Sequence, residues 1–240
     1  MTSLQVRKLA SQRILLKLSG EAFGNRGIEQ KALDQIADQI TRIHSRGVEV
    51  AVVVGGGNIF RGAERQGRRL KLDRVVADQM GMLATIINSL ALQDALERRG
   101  VEAILQSAVA VSFVEPLDPR QAKWALDNGK VVIFAGGTGN PFVTTDTAAA
   151  LRASEIKAQL LLKATNVDGV HTSDPKKDKS AKRLKRVSYE EVIQKKLEVM
   201  DIAAVDICRG NRIPIVVFDL FKPGNLERAL AGEEVGTLVH

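Results

Sequence analysis

Three apolar, β-branched runs in this 240-residue chain break off at glycine and hydroxyl residues, and this pattern restricts the fold more than any other feature. Arg13-Ile14-Leu15-Leu16 runs into Lys17-Leu18-Ser19-Gly20, and residues 48 to 54 run into Gly55-Gly56-Gly57-Asn58-Ile59-Phe60-Arg61-Gly62. Residues 131 to 135 run into Gly136-Gly137-Thr138-Gly139-Asn140-Pro141-Phe142-Val143-Thr144-Thr145-Asp146 and then an alanine-rich helical pattern. Glycines let backbone amides turn toward an anion with no Cβ in the way, and a following helix adds the positive end of its dipole. In parallel α/β sheets ligands collect beyond the carboxyl ends of strands, so the three loops, with Lys17 and Arg61, are expected to share one polyphosphate site.

The rest of the chain keeps the same rhythm. Strand-length runs at 13 to 18, 48 to 54, 101 to 105, 131 to 135, 159 to 164 and 214 to 219 alternate with longer amphipathic stretches at 28 to 46, 71 to 99, 119 to 128, 144 to 156 and 224 to 231. Such alternation predicts βαβ units. The expected fold class is α/β: a three-layer αβα sandwich with a mainly parallel central sheet. No repeat or low-complexity linker divides the chain, so residues 1–240 are expected to form a single domain.

A net charge of +7 raises the question of nucleic acid, but residues 174 to 187 carry seven Lys or Arg against two Asp. Most of the excess is one charged, proline-punctuated stretch, and the segment from Ser173 to Lys182 is expected to be a mobile excursion or an ordinary exposed loop. Only nine aromatic residues occur. Single-stranded nucleic acid as the main ligand is a poor fit, because base-stacking platforms need clustered rings. Cys208 is the only cysteine and reads as a small buried thiol within the helical run from Asp201 to Arg209. His44, His171 and His240 lack metal-site spacing, so no protein-held metal is expected, and Mg²⁺, if needed, should arrive on a nucleotide. No unbroken apolar stretch approaches about 18 residues and no signal-peptide core is evident, which predicts a cytoplasmic protein without a membrane partner.

Neither a Walker A pattern nor G-x-G-x-x-G occurs. The triple glycine alone could be a tight strand-to-helix turn. Lys17, near the end of an apolar strand, needs an anion or a structural carboxylate partner. Arg61 either offers its donor fork to phosphate or is a surface residue at a helix start. Asp146 is either a helix-start dipole complement or the group that aligns Lys17 and Lys163 beside a transferring phosphoryl group. Asp78, inside a helical pattern, would ordinarily sit on a solvated face.

With these motifs in place, the chain resembles the bacterial uridylate kinases of the amino-acid-kinase superfamily over essentially its whole length. The resemblance rests on Lys17 to Ala22, Gly55 to Gly62, Asp78 to Thr85, Gly137 to Asp146, Leu162 to Val170 and the terminal Gly236-Thr237-Leu238. It implies transfer of the ATP γ-phosphoryl group to UMP, giving UDP and ADP for pyrimidine nucleotide synthesis, in a homohexamer inhibited by UTP. It implies an acceptor-side lobe at about 1–150 and an ATP-side lobe at about 151–240. Lys17, Arg61, Asp146 and Lys163 would be catalytic. ATP would contact Lys17, Leu18, Ser19, Gly20, Gly57, Arg61, Thr165, Asn166, His171 and Asp174. UMP would contact Gly56, Asp78, with its carboxylate on the ribose, and Thr138, Gly139, Asn140, Pro141, Phe142, Val143, Thr144 and Thr145.

Two departures stand out. Between Ala22 and Ile28 the chain has only Phe23 to Gly27, shorter than the Gly-Phe-Gly-bearing segment that many members carry and that is associated with GTP activation. His171 stands where the family often places Tyr or Phe against adenine. Two rival readings are a kinase of carboxylates or carbamate within the same superfamily, and a basic nucleic-acid-binding regulator using Lys176 to Arg186.

Overall fold

The computed structural model describes residues 12–60, 71–173, 180–197 and 199–240. Its strands and helices alternate as the sequence rhythm predicts. β1 (Arg13–Leu18), β2 (Glu49–Val54), β3 (Ala103–Ser107), β5 (Val131–Ala135), β6 (Leu160–Thr165) and β8 (Ile215–Asp219) run parallel, with two-residue β4 (Glu115–Pro116) extending one edge. At the other edge β9 (Gly236–Val239) turns antiparallel to β8, and β7 (Arg186–Val187) pairs with β9. The sheet order is β4-β3-β5-β2-β1-β6-β8-β9-β7. Chain direction across the sheet therefore reverses at β1, whose neighbours are β2 and β6, and a reversal of this kind opens a crevice at the strand ends.

Each central strand is buried on both faces, so its residues sort alternately into two cores. Ile14, Leu16 and Leu18 face α1 (Gln30–His44), α2 (Arg74–Glu97) and α7 (Asn225–Leu230). Leu15, Ala51 and Val53 face α3 (Pro119–Asp127), α4 (Thr145–Glu155), α5 (Tyr189–Lys195) and α6 (Ile202–Gly210). Lys17 and Lys163 occupy the second set of positions, directly under the N-terminus of α4. Cys208 is buried among α4 and α6, and burial pushes its thiol up to about 12.

Two expectations change. The stretch at 174 to 187 is not one exposed loop: residues 174 to 179 lie outside the described set, but the chain then runs back along residues 170 to 172. Leu184 N–H donates to Val170 O at 2.8 Å, Thr172 N–H donates to Lys182 O at 3.0 Å, and β7 follows. Several of its cations are already engaged, Lys185 with Glu234 at 2.7 Å and Arg183 with the carbonyls of Asp168 and Glu234. The second change concerns α2, which is long and apolar enough to cross a membrane by length and composition. Its sheet side carries Thr85, Asn88 and Ser89, all buried, and Thr85 and Asn88 bond to strand-end loops, as a layer helix requires.

Candidate active site

β1 and β6 pair in a register that sets Lys17 beside Lys163. Two ammonium groups across a ladder repel, and both are largely buried, with side chains 9% and 17% exposed. Asp146 in the first turn of α4 resolves the conflict: Lys17 Nζ lies 2.6 Å from its Oδ1 and Lys163 Nζ donates to its Oδ2 at 2.8 Å. Lys163 Nζ also donates to Val199 O. Burial by itself would raise the Asp146 pKa, but Lys17 and Lys163 outweigh it and hold the carboxyl below its ordinary value. Lys163 is shifted down, first by burial and further by Lys17, with Asp146 opposing. The three side chains carry a net charge of +1, fixed at the strand ends.

Asp146 is not the cap of α4. Thr144 has that role, its Oγ1 accepting from Asp146 N–H at 3.1 Å and Thr147 N–H at 3.4 Å. Thr144 Oγ1 in turn donates to Asp201, whose other oxygen accepts from Thr147 Oγ1 at 2.7 Å and Ala204 N–H at 2.8 Å. Asp201 thus ties the N-termini of α4 and α6 together. It escaped the sequence reading, although an Asp immediately before a helical run is a start signal.

The glycine loops close around this triad. Gly55 N–H donates to Leu18 O at 2.8 Å, which clamps the β1 and β2 loops together. A Cβ on Gly20 would collide with Gly57 N and stand 2.8 Å from Asn58 Oδ1, so only glycine allows the loops to approach this closely. Leu18 places its side chain in the core, leaving its backbone at the site. Ser19 precedes the 3₁₀ turn Gly20–Phe23, and its carbonyl accepts from Ala22 N–H at 3.0 Å. Arg61 and Asp174 lie outside the described residues.

Beside the triad opens a cavity of about 590 Å³ whose wall includes Gly56, Gly57, Asp78, Thr138, Thr144 and Thr145. Val143 lines it as well, while Gly139, Asn140, Pro141 and Phe142, in the same loop, are not part of its wall. Thr138 Oγ1 accepts from Asn140 N–H at 3.2 Å, a local bond that shapes the loop. Asp78 is not a merely solvated helix residue: its carboxylate accepts from Phe142 N–H at 2.8 Å and pairs with Arg74 at 2.9 Å. The Phe142 bond, opposed by burial and reinforced by Arg74, lowers its pKa. Phe142 itself is in the left-handed region at φ 69°, strain of the kind that collects at ligand sites, and Arg74 lies over its ring at 5.6 Å. Arg74, Phe60 and Leu72 line the cavity and were missed by the sequence reading.

The residues predicted for a second nucleotide are more dispersed. Ser19 and Asn166 share a cavity of about 600 Å³ with Lys31, Gln35 and Phe221. Thr165 Oγ1 is engaged with Val167, accepting from its N–H at 3.1 Å and donating to its carbonyl at 2.8 Å. His171 is not in that cavity wall. It bridges to Arg183 and lies 3.4 Å from Asp168. Among the described residues no group of three or more His, Cys, Asp or Glu side chains could hold a metal ion.

Solved structures share this fold over nearly the whole chain. A UMP kinase from Bacillus anthracis is 43% identical with a TM-score of 0.90, covering 95% of this chain and 96% of that one. A UMP kinase from Ureaplasma parvum is 37% identical with a TM-score of 0.88, over 95% and 98% of the two chains. A uridylate kinase from Archaeoglobus fulgidus is 32% identical with a TM-score of 0.74, over 95% and 99%. The family model described as the amino acid kinase family matches residues 12–219, and the chain belongs to that family.

Proposed function

We propose that this protein is a UMP kinase, transferring the γ-phosphoryl group of ATP to UMP to give UDP and ADP in pyrimidine nucleotide synthesis. The observation that carries the reading is the Lys17–Asp146–Lys163 triad next to the Asp78 cavity, whose wall ends in Thr144 and Thr145 just before Asp146, in a chain 43% identical to a UMP kinase. A UMP phosphate has a second pKa of about 6 and is already a dianion at neutral pH, so the reaction needs no strong base. The obstacle is bringing two polyanions together. Lys17 and Lys163, held by Asp146, supply fixed positive charge where the phosphoryl group moves, and the glycine-loop amides and Arg61 add donors. Asp78 then receives the acceptor ribose, and Thr138 to Thr145 the acceptor phosphate and base. Ser19, Gly57, Thr165, Asn166, His171 and Asp174 belong to the ATP side.

Mg²⁺ carried by ATP would supply further charge neutralisation. The only carboxylate in the triad is already engaged by two lysines, so the donor set suits a metal held by nucleotide oxygens rather than by protein. UTP shares the uracil, ribose and α-phosphate of UMP, which makes it a competitor for the same cavity. We further assign the protein to the cytoplasm and to a homohexamer. Support for self-association comes from α2, where Val76, Met80, Leu83 and Ile87 form a solvent-facing apolar stripe at helical spacing.

The deciding experiment measures ADP formation from Mg²⁺-ATP with UMP, CMP, AMP, acetylglutamate and carbamate offered separately. Turnover confined largely to UMP is expected. Turnover with a carboxylate or carbamate would keep the ATP side and overturn the acceptor assignment.

A further inference from the structure

The Gly55–Gly57 loop and the segment from Gly136 to Thr145 both hang from one side of α2. Asp78 accepts from Phe142 N–H, Thr85 Oγ1 accepts from Gly136 N–H at 2.8 Å, and Asn88 Nδ2 donates to Gly55 O at 2.8 Å. Positions 78, 85 and 88 fall on one helix face at about 100° per residue, opposite the exposed stripe of Val76, Met80, Leu83 and Ile87. Thr85 and Asn88 are both buried. Thr85 also donates to Met82 O at 2.7 Å, which orients its oxygen lone pairs toward Gly136. Asn88 and Asn58 bond reciprocally, at 2.7 and 3.1 Å, and Asn58 Nδ2 also donates to Gly27 O at 2.8 Å.

These contacts cannot be exchanged for water or a neighbouring group. Gly56 presses so closely on the helix that a Cβ there would stand 2.7 Å from Ala84 Cβ and 3.0 Å from Thr85 N. Gly136, with φ 74°, is equally confined, since a Cβ would lie 2.9 Å from Ser107 Oγ and from Val109 N. The acceptor loop is held to the helix through the Gly136 and Phe142 amides and the Gly55–Gly57 loop through Gly55 O and Asn58, and a buried partner left unpaired would force the loop to move.

We infer that Thr85 and Asn88 are positioning residues of the phosphoryl-transfer site: Thr85 sets the acceptor loop through Gly136, and Asn88 sets the Gly55–Gly57 loop that both substrates share. The inference rests on the UMP kinase reading. Because Thr85 acts through the loop opening into Thr138 to Thr145, its loss falls on the acceptor. Loss of Asn88 falls on both substrates.

The test compares Thr85→Val, which keeps the shape and removes the hydroxyl, with Thr85→Ser, which restores it. Thr85→Val is expected to raise the KM for UMP by about tenfold while the KM for ATP stays within about twofold, and Thr85→Ser to return to the wild-type pattern. Should Thr85→Val not fold, Thr85→Ala removes the same hydroxyl and is read by the same criterion. An unchanged KM for UMP in a variant that still phosphorylates UMP would overturn the role of Thr85. So would equal rises for both substrates, the mark of general loosening. Wild-type protein that leaves UMP untouched would overturn the acceptor reading itself and this inference with it.

Discussion

Lys17 and Lys163 stand opposite each other on adjacent parallel strands and are held there by the two oxygens of one carboxylate. Each buried ammonium has Asp146 as its counter-ion, and Asp146 would be an unpaired buried anion without them. The excess of one positive charge is what an incoming polyphosphate meets.

Replacing Lys17 with Ala leaves Asp146 and Lys163 as a neutral pair, so the fold should persist. Turnover is expected to fall by about 100-fold or more, because charge is lost where it develops in the transition state. Steady-state kinetics beside a circular dichroism spectrum check both halves, and near-normal turnover would remove Lys17 from the mechanism.

Asp146→Ala should be far more damaging to stability, at about 3–5 kcal/mol, because it strands two buried ammonium groups. The denaturant midpoint reads this directly. A loss no larger than that of an ordinary surface substitution would mean that the lysines find other partners.

Acid should act through the same group. The folded-state pKa of Asp146 is lowered from 3.8, so the unfolded chain takes up the proton first as pH falls. The stabilisation is full above about 3.8 and disappears as pH drops through the lower folded value. Asp146→Asn should flatten this part of the acid limb, measured as unfolding free energy between about pH 5 and 2.

Asp78→Asn should raise the UMP requirement more than the ATP requirement, since Asp78 lines the acceptor cavity and not the cavity shared by Ser19 and Asn166. It also weakens the pairing with Arg74 and the Phe142 amide. Equal effects on both substrates would contradict the placement.

The α2 stripe gives a separate prediction. Leu83 is 51% exposed and Ile87 49%, so Leu83→Glu should leave the monomer fold intact while shifting sedimentation to smaller species. Unchanged sedimentation would place the self-association surface elsewhere.

The parallel core was legible because fully buried strands and amphipathic helices leave strong periods in sequence. The edge was not: β4 and β7 are two residues long, and β9 turns antiparallel within a four-residue run that carries no period. α5 was also missed, although Ser188 and Glu191 form a capping box that the sequence displays. At the site, Lys17, Asp146 and Lys163 could be named in advance, while their strand register could not. Thr85 and Asn88 were invisible for a different reason, since each acts on a backbone group more than 30 positions away.

The solitary Cys208 thiol, deep between α4 and α6, has a use beyond packing. A thiol fully covered by protein and pushed to about 12 reacts with alkylating reagents only after its layer opens. Its labelling rate therefore counts opening events of the helical layer that carries Asp146, and bound substrate that braces this layer should slow the count.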